Sequence, residues 1–302
     1  MKKKRLYILL ISVITIIIAV VVGLMFYLNK SDLGWDVEEY KILDDIISVK
    51  EIAVESYEDV RTYKIMYKSD DYKVASYLSV PKECLENQEQ FPCIIYNRGG
   101  NNLQSATSIG PEKTAAWSST MRTITFASQY RGVDGGSGME EFGGAELNDV
   151  IKLIDFCEEF AFVNSDEIYM VGESRGGMMA YLAIRQDERI KKAIIISGIA
   201  DTFMHYEERP DMKKIYVPLV GGTPDELPEE YEKRSATYWA DEIKCPVLIF
   251  HSKLDPRVSF AQAEKMAQCL EAAGKEYKFV TYEDDRHGLH KEDVEIMLEW
   301  IK

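Results

Sequence analysis

The hydrophobic pattern divides the chain at about residue 30. From Leu6 to Leu28 no charge occurs, and Ile, Val and Leu occupy every face. A helix over this run is roughly 34 Å long at 1.5 Å per residue, enough for a hydrocarbon core of about 30 Å. A secretory leader has a shorter apolar region, about 7–15 residues, closed by a small-residue site. This run ends instead in Met25-Phe26-Tyr27-Leu28. The pattern therefore predicts an uncleaved transmembrane anchor over residues 1–30, in contact with membrane lipid. Lys2, Lys3, Lys4 and Arg5 precede the span, whereas Asp32, Asp36, Glu38 and Glu39 follow it. That bias places the N-terminus in the cytoplasm and the remaining domain outside the cell.

Past a juxtamembrane connector and first strand (31–59), short β-type runs alternate with helical periods. Thr62–Lys68 and Tyr72–Val80 flank Ser69-Asp70-Asp71, which predicts an antiparallel hairpin. Further strands are expected at Phe91–Asn97, Arg122–Ser128, Glu167–Gly172, Lys192–Ser197, Pro246–His251 and Lys278–Tyr282. Helical patterns cover Gly144–Phe160, Arg175–Gln186, Phe260–Ala273 and Glu292–Ile301. Such alternation implies parallel strands with crossover helices, a doubly wound α/β sheet led by a hairpin, over 60–302. The apolar run Ala193-Ile194-Ile195-Ile196 suits a strand covered on both faces. From about residue 201 to 240, charges and Pro210, Pro218, Pro224 and Pro228 interrupt every period. An irregular stretch of that length is either a lid or binding loop, or a surface excursion.

Charge changes the picture only by exclusion. The formal net charge is −15, and the first segment is basic, so the rest is more acidic still. Nucleic acid, which needs clustered Lys and Arg, is not an expected partner. Cys84, Cys93, Cys157, Cys245 and Cys269 form no CxxC pair or metal spacing. They are expected mainly as buried thiols, with one disulfide as the alternative. No cofactor or metal is implied.

The chemistry centres on Gly172-Glu173-Ser174-Arg175-Gly176, a G-x-S-x-G run between a predicted strand and a predicted helix. A sharp strand-to-helix turn lifts a serine clear of the backbone, and the flanking glycines remove the clashes. Ser174 is thus the candidate nucleophile, with the Arg175 N–H at a helix start as one oxyanion donor. A base and an acid should follow in chain order. His287, after the last strand and before Gly288, fits the base; His290 is a rival, and His205 and His251 lie away from the expected place. Asp255, just past the Pro246–His251 strand, fits the acid, with Asp201 as substitute; Asp284 and Asp285 read as a solvated turn. Arg98-Gly99-Gly100, after the Phe91–Asn97 strand, is the candidate second oxyanion loop. Phe203, Tyr206, Trp117 and Trp239 are candidate pocket walls, although such residues are more often core aromatics than specificity residues. Met178 and Met179 read as helix packing.

Taken together, GESRGG, Tyr96-Asn97-Arg98-Gly99-Gly100, the run Gln129–Gly138, His251–Val258 and Arg286-His287-Gly288 resemble the catalytic domain of prolyl oligopeptidase-type (S9) serine peptidases. The resemblance covers about residues 60–302 and implies an α/β-hydrolase fold with Ser174, Asp255 and His287 as the triad. Two departures stand out. The chain leaves no room for the large N-terminal β-propeller of many members. Arg98 replaces the Tyr or His that often precedes the glycine pair, so the donor there is a guanidinium or a backbone N–H. A small peptide or acylated amino acid is the expected substrate, a carboxylic ester is the alternative, and a non-catalytic binding protein is disfavoured by the intact Ser/Asp/His set.

Overall fold

The structure, a computed structural model, describes residues 35–101 and 109–302. The predicted span Leu6–Leu28 lies outside these residues; among the described ones no helix is long and apolar enough to cross a membrane. Strands Ile46–Ile52 (β1), Val60–Ser69 (β2), Tyr72–Pro81 (β3), Phe91–Asn97 (β4), Ile124–Ser128 (β5), Val163–Glu173 (β6), Ile190–Ile196 (β7), Val247–Ser252 (β8) and Tyr277–Tyr282 (β9) form one sheet. Their order is β1-β2-β3-β5-β4-β6-β7-β8-β9. The neighbours from β5 through β9 are parallel, as expected. The antiparallel part is larger than a hairpin: β1 adds to β2, and β3 also runs antiparallel to β5.

Register brings the chemistry to one edge. Asn97 pairs with Gly172, Glu173 with Ile196, and Ile196 with Phe250. The carboxyl ends of β4, β6, β7 and β8 are therefore level, and the loops that follow them converge, as ligand sites in such sheets require. Both faces are covered. Ile94, Tyr96, Val171, Ile194 and Phe250 pack with Trp117, Met121, Met297 and Ile301 on one side. Cys93, Ile95, Met170, Ala193 and Ile249 pack with helices Leu147–Glu159 and Arg175–Gln186 on the other. The unbroken apolar run in β7 follows from that double burial.

Two segments differ from the pattern-based expectation. A helix, Pro111–Met121, covers β3 and β5 where none is predicted. Its Ala, Ser and Thr residues carry little hydrophobic contrast, so its period is weak, and Pro111 at its first turn is the remaining signal. The stretch expected to be irregular holds three short helices, Thr202–Glu208, Lys213–Val220 and Pro228–Lys233. Pro218 and the brevity of each hide the 3.6-residue period. All five cysteines are free thiols, with Cys93 and Cys157 in side-by-side contact at 3.5 Å between sulfurs.

Candidate active site

Ser174 terminates β6 and starts helix Arg175–Gln186 with φ 60° and ψ −123°, the strained elbow that the motif predicts. Its N–H donates to Ile196 O at 2.9 Å, and its own carbonyl accepts from Gly177 and Ile199. The turn needs its glycines, because a Cβ on Gly176 would collide with the Asn97 carbonyl. Gly99 also approaches closely: a Cβ there would lie 3.0 Å from the Ser174 Cβ. The Arg98–Gly100 loop thus lies against the serine.

Asp255 and His287 meet as expected, His287 Nδ1 being 2.7 Å from Asp255 Oδ2. The other carboxylate oxygen accepts N–H bonds from Arg257 (2.8 Å) and Val258 (3.1 Å), which fix its rotamer. Burial alone would raise the Asp255 carboxyl. The His287 bond and the two backbone donors outweigh it and hold the group below its usual range. Gly288 N–H bonds Ser197 Oγ at 3.2 Å and ties the base loop to the end of β7.

The rivals fall elsewhere. His290 stacks on Tyr282 and pairs through Nε2 with Asp284 at 2.7 Å, outside the pocket. Asp284 lies in an exposed bend, as expected, and its carboxylate is hydrogen-bonded to His290. Asp201 caps helix Thr202–Glu208 through Met204 N–H and pairs with Lys265. His251 is buried, with Nε2 on the Val258 carbonyl at 2.9 Å.

Beneath the oxyanion loop lies a group of buried charges. The Arg98 guanidinium donates to Gln129 O through Nε (3.1 Å) and Nη2 (2.7 Å), and to Gly99 O through Nη1 (3.1 Å). Its donors are thus bound to carbonyls of the scaffold. Arg175 bonds Gly100 O (2.9 Å), Glu140 (2.8 Å) and Glu146 (2.5 Å) and lies over the rings of Tyr130 and Phe142. Burial would raise the Glu146 carboxyl, but Arg175 and the N–H groups of Gly143 and Glu141 hold it low. Arg131, in the same Gln129–Gly138 run, is clamped on Asp149. That run is the foundation of the oxyanion loop.

A cavity of about 470 Å³ joins Ser174, His287, Arg175 and the Arg98–Asn101 loop. Its remaining wall includes Ile199, His205, Met212, Arg257 and Val258. The four aromatic candidates do not line it: Trp117 packs on Tyr96, Phe203 on Tyr231, Trp239 under Arg185, and Tyr206 on Tyr216 and Tyr231. His205, set aside on sequence grounds, does line it. Its Nδ1 meets Tyr216 Oη at 2.9 Å, and burial lowers its pKa to about 4, so it is neutral. The signal for it was positional: the 201–240 stretch follows β7, at the carboxyl edge.

Comparison with known proteins bears on the family and the fold. The prolyl oligopeptidase (S9) family model matches residues 115–302. The chain is 29% identical over 248 residues to the uncharacterized peptidase YtmA of Bacillus subtilis (strain 168), covering 80% of this chain and 94% of that one. A puromycin-hydrolyzing peptidase of Mycobacterium tuberculosis superposes with TM-score 0.68 at 22% identity, over 83% of this chain but 40% of its own. Acetyl xylan esterase 1 of Thermoanaerobacterium sp. JW/SL YS485 superposes with TM-score 0.66 at 14% identity, over 86% and 88%. Those two likenesses concern the fold. The elbow, the sheet and the family match lead to one conclusion: the chain belongs to the prolyl oligopeptidase (S9) family and is a serine hydrolase of α/β-hydrolase fold.

Proposed function

We propose that Ser174, His287 and Asp255 form the catalytic triad of a membrane-anchored peptidase acting on short peptides or acylated amino acids. The observation that carries this reading is the 2.7 Å His287–Asp255 bond at the rim of the cavity that also holds Ser174. Ser174 Oγ attacks the scissile carbonyl while His287 takes its proton, and Asp255 holds the imidazole tautomer and supports the imidazolium. The oxyanion is met by the Arg175 N–H and by the backbone of Gly99 and Gly100, since Arg98 is bound to Gln129 and Gly99 carbonyls. His287 then protonates the departing amine, and water releases the acyl group by the same steps in reverse. The anchor reading rests on the apolar run Leu6–Leu28, and the extracytoplasmic placement on Lys2–Arg5 before it.

A carboxylesterase uses the same residues, and the esterase likeness over 88% of that chain favours keeping it as the second reading. A panel of p-nitrophenyl esters against Ala- and Pro-anilide peptides separates the two. Peptide turnover is expected; turnover of esters alone would overturn the peptidase reading. Protease added to intact cells is expected to remove the domain, and complete protection would reverse the orientation.

A further inference from the structure

We propose that Lys113, held by Glu173, is the leaving-group subsite and takes the free carboxylate of the amino acid or short peptide released in the first half-reaction. This rests on the acyl-transfer reading above. The two residues beside Ser174 send their side chains to different flanks of the cavity. Arg175 reaches Glu140, Glu146 and the Gly100 carbonyl. Glu173 reaches the Tyr96 hydroxyl and the Lys113 ammonium, the latter at 2.6 Å. The Glu173 flank adjoins the base loop, because a Cβ on Gly288 would come within 3.8 Å of Glu173 Oε1. A base gives its proton to the departing group, so that group leaves along the base's flank. Along that flank the cavity is lined by Lys113 and Glu173.

Lys113 suits a carboxylate. Its side chain is half-exposed to the cavity, and its ammonium is fixed by Glu173 and by the Tyr96 ring, 5.0 Å from the centroid. An ammonium carries three donors and Glu173 Oε2 takes one, so the pairing orients the group without saturating it. Glu173 itself is kept ionised: burial would raise it, but Lys113 and the Tyr96 hydroxyl hold it low.

Cations predominate among the charged side chains that line the cavity. Arg98, Lys113, Arg175, Arg209 and Arg257 line it against the single carboxylate of Glu173. Glu140 and Glu146 neutralise the two buried arginines from behind, and Asp211 holds Arg209. Glu173 balances Lys113, and Asp255 accepts the Arg257 N–H, so the unsaturated donors of the Lys113 ammonium, rather than a net charge, favour an anionic ligand. Arg257 stands on the acid loop with its N–H on Asp255 Oδ1, and Arg209 donates to the Arg257 carbonyl.

The test uses the detergent-solubilised full chain and a matched pair, N-acetyl-Leu-Gly as free acid and as its C-terminal amide, with N-acetyl-Leu p-nitrophenyl ester as reference. The parent is expected to prefer the free acid by about tenfold in kcat/KM, chiefly through KM, the scale of one charge-assisted contact. K113M should bring the acid-to-amide ratio close to one, and K113R should retain the preference. The ratio is insensitive to any loss of folded protein. Equal turnover of acid and amide by the parent, or an unchanged ratio in K113M, would overturn the subsite. Cleavage of the ester but of neither peptide would overturn it too. A parent that neither cleaves the ester nor takes a fluorophosphonate label at Ser174 would instead sink the underlying catalytic reading.

Discussion

The two walls of the cavity are built by different physics. On one side, the elbow and the Arg98–Gly100 loop are fixed by backbone: a strained serine, glycine contacts, and buried ion pairs that hold carbonyls in place. On the other side, His205 and Met212 come from short helical segments held by side-chain contacts, while Ile199 and Val258 join them to the elbow and the acid through N–H bonds to the Ser174 carbonyl and Asp255. The first wall carries chemistry, which tolerates little displacement. The second carries shape, which can vary while the reaction is kept. The difference predicts that damage to the first wall appears in kcat and damage to the second in substrate preference.

The largest effect tests the first wall. Ser174→Ala is expected to lower kcat on an activated ester by roughly 10⁴-fold or more, with folding intact. It should also abolish fluorophosphonate labelling. Equal labelling of the alanine variant would sink the nucleophile assignment. Next in size is Arg175→Met, which leaves the backbone N–H in place but removes the cation paired with buried Glu146 and one of the two paired with buried Glu140. Breaking one partner of such a buried group costs about 3–5 kcal/mol. Urea unfolding should show it, and adding Glu146→Gln should recover part of the loss. A cost below about 1 kcal/mol would mean that the buried charges do not hold this wall.

The second wall has its own signature in pH. His205 titrates at about 4 in the fold, because burial disfavours its charged form. An unfolded histidine titrates near 6.5. Between these values the unfolded chain binds a proton that the folded chain refuses, so stability falls as pH drops from 6.5 toward 4. The full difference is about 3 kcal/mol. His251, also lowered by burial, adds to the same slope. His205→Gln should flatten the acid side of a Tm-against-pH curve without removing it. A curve with unchanged slope would show that folding does not lower the His205 pKa.

How much of each wall was legible follows from the same contrast. Ser174, Asp255 and His287 sit where chain order and strand ends require, because a backbone turn imposes residue types at fixed spacing. The glycine loop was legible for that reason too. The role of Arg98 was not: whether its guanidinium points at an oxyanion or at the Gln129 carbonyl depends on Glu140 and Tyr130, which lie 42 and 32 residues away. The helix Pro111–Met121 was missed for lack of hydrophobic contrast, and with it Lys113. His205 and Met212 were hidden because no period runs through helices of six to eight residues and the three-residue turn Pro210–Met212. The large aromatic residues weighed as walls were expected more often in the core, and they pack there because burial of their area is the stronger demand.

The smallest effect is the sharpest test of the contrast. Met212 borders the cavity from a segment that supplies no catalytic group. Met212→Ala removes apolar surface from the second wall and leaves the elbow untouched. A pocket wall changed by a few methylenes shifts discrimination by about 1–3 kcal/mol at most. Acyl residues with long side chains should therefore lose or gain about tenfold in kcat/KM relative to an acetyl ester. Turnover of the acetyl ester itself should stay within about threefold of the parent, because its small acyl group does not reach that wall. Loss of turnover across all substrates alike would mean that the two walls move as one body. The division between chemistry and shape would then fail, since the short helices would be helping to hold the elbow rather than only framing the substrate.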